Sequence, residues 1–451
     1  MKVCQYGLMP GLFGTDGIRG VANRDLTPDL ALAIGRAAGL ALAPGGGEVV
    51  IGRDTRVSGP MLQGALIAGL CSAGVDVRLC GIIPTPGVAW LTIDERARAG
   101  AVISASHNPV PDNGIKFLSD EGYKIAPEVE EQIEKLMAEA PSELPTGIEV
   151  GRSMPLDRAH ERYCDHLIST LRGGLSGLRV VLDCAYGAGW KVGPHVFAEA
   201  GADLITINAE PDGVRINVEC GSTSLDALAE RVVAEKAQLG LALDGDADRV
   251  LAVDERGEPV DGDRMLGLAA LRLAEASTLE NDVVVGTVMS NLGFVRALEA
   301  RGIEFIAAPV GDRYVVEAMG ESGAILGGEQ SGHIIFGEHS TTGDGLLTGL
   351  QIAQIVAQSG EPLSKLADFY EPFPQVLINV EVASKQRLDS EEAIWDEVAQ
   401  VESGLEDDGR VLIRPSGTES LVRIMVEARD PDAARGAAER LAEVVRMRLG
   451  A

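Results

Sequence analysis

Three segments of this chain repeat one pattern, in which an amphipathic helix runs into a glycine and a short β-rich strand follows. They are "LIAGLCSAGVDVRLCG", "HVFAEAGADLITIN" and "FVRALEARGIEFIAAP", with junction glycines Gly74, Gly201 and Gly302. A glycine just past a helix accepts the left-handed conformation that ends it, so each marks a helix-to-strand turn. Helices alternating with apolar strands such as "VVIG", "RVVLDC" and "DVVVGTV" predict α/β layers. The repeats recur at intervals of roughly one hundred residues, an ordinary domain length, and predict three similarly built domains.

After Pro372 the pattern changes. "QVLINVEV" reads as a strand, "SEEAIWDEVAQVESG" as a helix, "GRVLIRPSGTESLVRIMVEA" as two strands around a polar turn, and the last stretch as a helix. That is a small α+β module. Linkers rich in Pro, Gly or charge fall near "PSELPTG", around Gly257 and at "YEPFPQ". The expected domains are therefore 1–153, 154–257, 258–371 and 372–451, and a chain of 451 residues has the length for them.

Charge narrows the partners. The net charge is −29, from 68 acidic and 39 basic residues, which argues against a nucleic acid held on a general basic surface. A small phosphorylated ligand is compatible, since a few converging arginines reverse the local field. The six cysteines are scattered, with no CxxC pair and no Cys/His spacing suited to zinc. They read as mostly buried thiols in a reducing cytoplasm. The opening "MKVCQYGLMPGLFG" is too glycine-rich for a secretory signal, and no apolar run is long enough for a membrane span. A cytoplasmic protein without membrane partners is the expectation.

The loops carry the chemistry. In "GLALDGDADRVLAVD", Asp244, Asp246 and Asp248 alternate between two strand-like runs. On an extended or turning backbone that spacing lets three carboxylates converge on one hard cation, Mg²⁺ or Ca²⁺ rather than zinc. A calcium loop of the helix–loop–helix kind is rejected: Glu255 stands twelfth from Asp244, but the sixth position is Arg249, not glycine, and the flanks are strands. Three carboxylates leave a magnesium shell incomplete, and phosphate oxygens usually complete it.

"SASHNP", from Ser104 to Pro109, follows the apolar run "AGAVI". A serine on a tight loop after a buried strand can project its hydroxyl into a cleft, and with a metal to help it is a plausible nucleophile. No G-x-S-x-G elbow surrounds it, so acyl transfer is poorly supported. The tail turn "RPSGTES" gathers Arg414, Ser416, Gly417 and Thr418, with Arg423 on the following strand. Guanidinium forks, hydroxyls and a backbone freed by glycine are what a phosphate dianion accepts. Neither a P-loop nor a dinucleotide fingerprint is present. "GGEQSGHIIF" presents Glu329 and Ser331, an acceptor beside a hydroxyl suited to sugar hydroxyl or amino groups. Taken singly, each loop is also compatible with an ordinary polar turn.

Together, "LFGTDGIRG", "AVISASHNPVPDNGIKF", "DGDADR", "VGDRY", "GGEQSGH" and "RPSGTES" resemble, in the same order, the marks of the α-D-phosphohexomutase superfamily. Within it, "SASHNP", "VGDRY" and the glutamine of "GGEQSGH" lean towards the bacterial phosphoglucosamine mutases. The likeness spans nearly the whole chain. It implies four domains around a central cleft, three of them related mixed α/β folds. It also implies reversible conversion of glucosamine 6-phosphate to glucosamine 1-phosphate, on the way to UDP-N-acetylglucosamine.

By the same resemblance, Ser106 is the residue phosphorylated in the active enzyme, and its phosphate joins Asp244, Asp246 and Asp248 on Mg²⁺. Arg249 steadies the phosphoserine, Glu329 and Ser331 contact the sugar, and Arg414, Ser416, Gly417, Thr418 and Arg423 hold the phosphate that is not reacting. Arg19 and Lys116 line the site, with Lys116 a candidate general acid or base. A sugar 1,6-bisphosphate or a kinase would prime Ser106, the tail would move on a hinge near Pro372 to Pro374, and family habit implies a homodimer. Asp312 stands where the phosphomannomutase/phosphoglucomutase branch has a histidine, which leaves the second proton-transfer group open among His107, Asp312 and His333. For His333 a structural hydrogen bond is an equal reading. Ala247 and Tyr186 replace the commoner glycine and asparagine, and Ser420 a frequent proline. The rivals are a phosphomannomutase or phosphoglucomutase, a Mg²⁺-dependent phosphatase, and a sensor without catalysis.

Overall fold

The computed structural model describes residues 11–14, 16–139, 143–416 and 420–450. The chain forms two compact units, one of residues 1–287 with 308–367, the other of residues 288–307 with 368–451.

The first unit holds the α/β layers. Its first sheet has six strands in the order Ile18–Val21, Asp112–Ser119, Ala99–Ile103, Gly47–Arg53, Val75–Ile82, Ser153–Pro155. The strands from Ala99–Ile103 to Ser153–Pro155 run parallel, and the other two join antiparallel. The helices Pro28–Leu42 and Gly59–Ser72 cover this sheet with a core that includes Ile34, Ile51, Leu62, Leu66 and Leu70. The five-stranded second sheet runs Pro259–Val260, Val250–Asp254, Leu239–Leu243, Arg179–Asp183, Asp203–Ile207. In the third region Val283–Thr287 pairs parallel with Leu326–Gly328, which makes a hairpin with Ile334–Phe336.

Gly74, Gly201 and Gly302 carry φ of +83°, +93° and +77°, each between a helix and a strand. A side chain would strain that conformation. Around Gly257, where a linker is expected, the backbone makes a hairpin turn. Gly257 N–H donates to the Asp254 carbonyl at 3.0 Å, and Val260 sits in register with Ala252.

The second unit contains the expected tail: strands Gln375–Glu381, Leu421–Ala428 and Gly409–Pro415 in one antiparallel sheet, with helices Glu392–Leu405 and Pro431–Leu449 packed on it. The helix Leu292–Glu299 packs with this unit although it lies some seventy residues before the expected cut at 371/372. Asn291 and Phe373 exchange two hydrogen bonds of 2.9 Å, Leu292 N–H donates to Glu427 at 3.2 Å, and the Phe294 ring meets Phe305 edge-on at 5.6 Å. The chain thus passes between the units three times, not through one linker.

Candidate active site

The site is built at strand ends. In parallel sheets the loops leaving the carboxyl ends of the strands come to one edge, and functional groups collect there. Gly47–Arg53 and Ala99–Ile103 deliver Asp54–Arg56 and Ser104–Pro109 to one such edge; Leu239–Leu243 delivers the acidic turn. The glycine at 245 lets the two loops touch, since a β-carbon there would lie 2.6 Å from the Ser106 carbonyl oxygen.

Ser106 is only 1% exposed and takes a left-handed backbone, φ +50°. Its hydroxyl donates to Asp244 Oδ2 at 2.5 Å, with His107 Nδ1 at 3.2 Å. Asp244, Asp246 and Asp248 are buried, and one oxygen from each falls within 4.8 Å of the others. Among the described residues, Asp246 Oδ1 and Asp248 Oδ1 have no hydrogen-bond partner. Buried carboxylate oxygens without a donor are costly. An all-oxygen set with two orphaned ligand atoms therefore fits a hard divalent cation such as Mg²⁺.

The other carboxylate oxygens are taken. Asp246 Oδ2 accepts from Thr85 Oγ1 at 2.6 Å and from Lys116 Nζ at 2.9 Å, and Lys116 stands 3.7 Å from Asp248. Burial pushes the Asp244 carboxyl well above the usual carboxylate range, and Asp248 and Asp246 add to it. Burial works the same way on Asp248 but is outweighed by Lys116, His333 and Arg249, which leave it well below. For Lys116 burial lowers the ammonium's pKa, and Asp246 and Asp248 more than reverse this. Lys116 is therefore a cation here. Arg249 N–H donates to Asp244 Oδ1 at 3.2 Å. The Nε atoms of Arg19 and Arg249 are buried without an acceptor among the described residues, so both guanidiniums have a donor to offer an anion.

The hairpin loop carrying Glu329 and Ser331 is tied to the acidic turn, since Val250 N–H donates to the Gly332 carbonyl at 3.1 Å. Glu329 Oε1 accepts from Gly311 N–H at 3.1 Å, and Ser331 Oγ lies 3.5 Å from Glu329 Oε2.

Of the three groups left open, His333 is buried under the acidic turn, its Nδ1 3.8 Å from Asp248. Gly343 N–H donates to its Nε2 at 3.0 Å, so that nitrogen carries no proton in this geometry. The carboxylates of Asp248 and Asp312 favour the imidazolium and outweigh burial, but the backbone bond sets the resting tautomer, with Nδ1–H towards Asp248. Asp312 is held down to about 2: burial raises it, and Lys124, foremost among the opposing charges, outweighs burial. Its partner Lys124 Nζ lies 2.6 Å away and also reaches Asp16 at 2.5 Å. Asp16 in turn pairs with Arg19, whose Nη1 donates to Asn108 at 3.1 Å. His107 is pushed down to about 4 by burial and by Arg249 and Arg19.

In the second unit, Arg414 and Arg423 are cross-strand partners in register. Burial lowers the Arg414 pKa, and the neighbouring Arg423 adds to this. Like charges directly opposite are destabilising unless an anion lies between them. Ser416 N–H donates to Leu421 at 2.9 Å, and Lys385 Nζ caps the Ser416 carbonyl at 2.6 Å. Gly417 and Thr418 lie outside the described residues.

Sequence reasoning passed over Asp16, Asp54, Arg56, Thr85, Lys124 and Lys385. The run "GRDTR" at the end of an apolar strand was a signal for two of them, since charge there implies either a site or a buried pair.

The chain is similar to known proteins over nearly its whole length. Residues 10–143, 161–257, 261–373 and 377–444 match, in turn, the families described as phosphoglucomutase/phosphomannomutase alpha/beta/alpha domain I, domain II, domain III and C-terminal domain. A protein named phosphoglucosamine mutase from Streptomyces coelicolor is 52% identical over 98% of this chain and 100% of its own length. A crystal structure of a phosphoglucomutase/phosphomannomutase family protein from Burkholderia thailandensis superposes with a TM-score of 0.81 at 26% identity, covering 97% of each chain. The fold is also that of Aspergillus fumigatus N-acetylphosphoglucosamine mutase, solved with GlcNAc-6P and magnesium, at a TM-score of 0.71, 19% identity and coverage of 96% of this chain and 95% of that one. No helix among the described residues is long and apolar enough to cross a membrane.

Proposed function

We propose that this chain, which belongs to the phosphoglucomutase/phosphomannomutase family and within it to the phosphoglucosamine mutases, interconverts glucosamine 6-phosphate and glucosamine 1-phosphate. The carrying observation is the Ser106 hydroxyl 2.5 Å from Asp244, beside two carboxylates with unpartnered oxygens.

Phosphoryl transfer is catalysed mainly by positioning and charge neutralisation. Ser106 Oγ carries the transferable PO₃ group. Asp244, Asp246 and Asp248 would hold Mg²⁺, which when bound supplies charge neutralisation at the phosphoryl oxygens. Arg249 and Arg19 supply donors to the same oxygens. The phosphoserine gives its group to the free 1-hydroxyl of the 6-phosphate, which yields a 1,6-bisphosphate. As the O–P bond to serine breaks, the P–O bond to the sugar forms; the sugar hydroxyl gives up one proton and the serine oxygen takes one, with the His107 imidazole, 3.2 Å from Ser106 Oγ, the group left to accept the first. The intermediate turns end for end and returns its 6-phosphate to Ser106. Lys116, an ammonium held 2.9 Å from Asp246 at the acidic turn, would protonate the serine oxygen as it departs. Glu329 and Ser331 hold the sugar, and an acidic Glu329 suits the 2-ammonium group. Arg414, Ser416, Gly417, Thr418 and Arg423 hold the other phosphate. With Asp312 paired to Lys124 and His333 accepting from Gly343 N–H, neither is the second proton-transfer group. A sugar 1,6-bisphosphate primes the resting serine.

A substrate panel of glucosamine, mannose and glucose phosphates, each with a priming bisphosphate, tests the assignment. A kcat/KM much greater on mannose phosphate would overturn the choice of sugar. Steady release of inorganic phosphate would make the chain a phosphatase instead.

A further inference from the structure

Beneath the serine loop lies an arginine with no exposed surface. Arg56 is 0% accessible, and its guanidinium has five N–H groups, each with an acceptor. Nε donates to Asp54 Oδ2 at 3.0 Å. Nη1 donates to the carbonyls of Pro109 at 2.6 Å and Asp112 at 3.0 Å; Nη2 donates to those of Ser106 at 2.9 Å and Asn108 at 2.7 Å. Four of the five acceptors are thus backbone oxygens of the stretch that carries Ser106. The same anchor acts on the serine from its amide side. Asp54 Oδ2 accepts from Ser104 Oγ at 2.6 Å, and Ser104 Oγ accepts from Ser106 N–H at 2.9 Å.

A guanidinium taken wholly out of water is tolerated only when every donor is matched. A loop that needed only to be closed could be closed by a serine or asparagine turn. What a rigid planar fork adds is the simultaneous fixing of several carbonyls in one plane, which a flexible ammonium with three donors does not reproduce. Its effect lands on a residue whose left-handed backbone, φ +50°, L residues rarely adopt. We infer that Arg56, backed by Asp54 and Ser104, is a positioning residue for phosphoryl transfer: its fork holds the loop carbonyls of Ser106, Asn108, Pro109 and Asp112 so that the Ser106 hydroxyl meets the acidic turn. This rests on the reading of Ser106 as the phosphoryl carrier.

The test is rapid-quench uptake of label from radiolabelled glucose 1,6-bisphosphate by dephosphorylated enzyme, with the rate and the amplitude per folded chain read separately. A misplacement of about 1 Å costs on the order of 10²-fold in rate. Arg56→Lys should therefore reach the wild-type amplitude about 100-fold more slowly. Ser104→Ala, a smaller change and a safeguard should the lysine variant not fold, should be slowed about tenfold. A wild-type rate on a reduced amplitude would show that the clamp only keeps chains folded, and would overturn the inference. So would wild-type rate and amplitude together. Failure of the wild-type protein to take up label would overturn the reading of Ser106 itself, and the clamp's role with it.

Discussion

The Ser106 hydroxyl and the Asp244 carboxylate stand 138 positions apart in the chain and 2.5 Å apart in space. The bond joins the loop of one sheet to the turn of another, so the candidate nucleophile and the candidate metal ligands form one site. Removing that hydroxyl removes the group that would be phosphorylated. Ser106→Ala should lose isomerisation of glucosamine 6-phosphate by at least ~10³-fold, as expected for the loss of a covalent carrier, while the melting temperature stays close to that of the wild type. Intact-mass analysis after incubation with a sugar bisphosphate should show no added phosphate.

The three aspartates repel one another, and burial together with Asp248 and Asp246 pushes the Asp244 carboxyl well up. With its folded pKa raised, the stability it contributes is complete below the unfolded value of about 3.9 and is lost as pH rises. At neutral pH without metal, the ionised group is a liability. Asp244→Asn should then raise the melting temperature of metal-free protein while abolishing activity and weakening Mg²⁺ binding by at least ~10-fold. A melt in EDTA beside a calorimetric Mg²⁺ titration checks both halves. A lower melting temperature in EDTA would show that the carboxylate is stabilising without its cation.

His107, pushed down to about 4, is neutral in the folded protein where an unfolded imidazole near 6.5 would still bind a proton. The unfolded chain therefore takes up more protons between those values. The stability owed to neutral His107 is complete above about 6.5 and drains away as pH falls towards 4. Melting curves from pH 4 to 8 should show the wild type losing stability relative to His107→Asn across that window. A constant difference between the two proteins would contradict it.

Ala247 occupies a left-handed conformation at φ +56° in the acidic turn. A β-carbon there costs roughly 1–2 kcal/mol, part of which glycine returns in unfolded-chain entropy. Ala247→Gly should raise unfolding stability by about 1 kcal/mol in urea, with the slope unchanged. Tyr186, at φ +54°, is the parallel case, offset by the Arg215 guanidinium stacked 4.1 Å above its ring.

Arg414 and Arg423 face each other across a strand pair. A charge-assisted bond to phosphate contributes about 1.5–3 kcal/mol, so Arg423→Met should raise KM for glucosamine 6-phosphate roughly 10- to 100-fold. Inorganic phosphate should raise the melting temperature of the wild type more than that of the variant. Equal shifts would place the anion elsewhere.

Much of this was legible in one dimension. The helix–glycine–strand junctions at Gly74, Gly201 and Gly302 follow from local backbone chemistry, and all three adopt the predicted left-handed turn. Asp244, Asp246 and Asp248 could be read as a cluster because their spacing is local. Lys124 could not: its partners Asp16 and Asp312 lie 108 and 188 positions away, and no spacing rule connects them. Nor could the membership of residues 288–307 in the tail unit, which depends on Asn291 and Phe373 meeting across 82 positions.

The amino-acid order alone determined the α/β repeat, the different tail and the chemical character of each loop, because glycine turns, apolar periodicity and neighbouring carboxylates act over a few residues. Only the tertiary structure decided that Lys116 sits as an ammonium between Asp246 and Asp248, that His333 is buried 3.8 Å from Asp248, and that Arg56 is buried under the serine. Those outcomes depend on which charges are taken out of water together, and desolvation is a property of the packed chain.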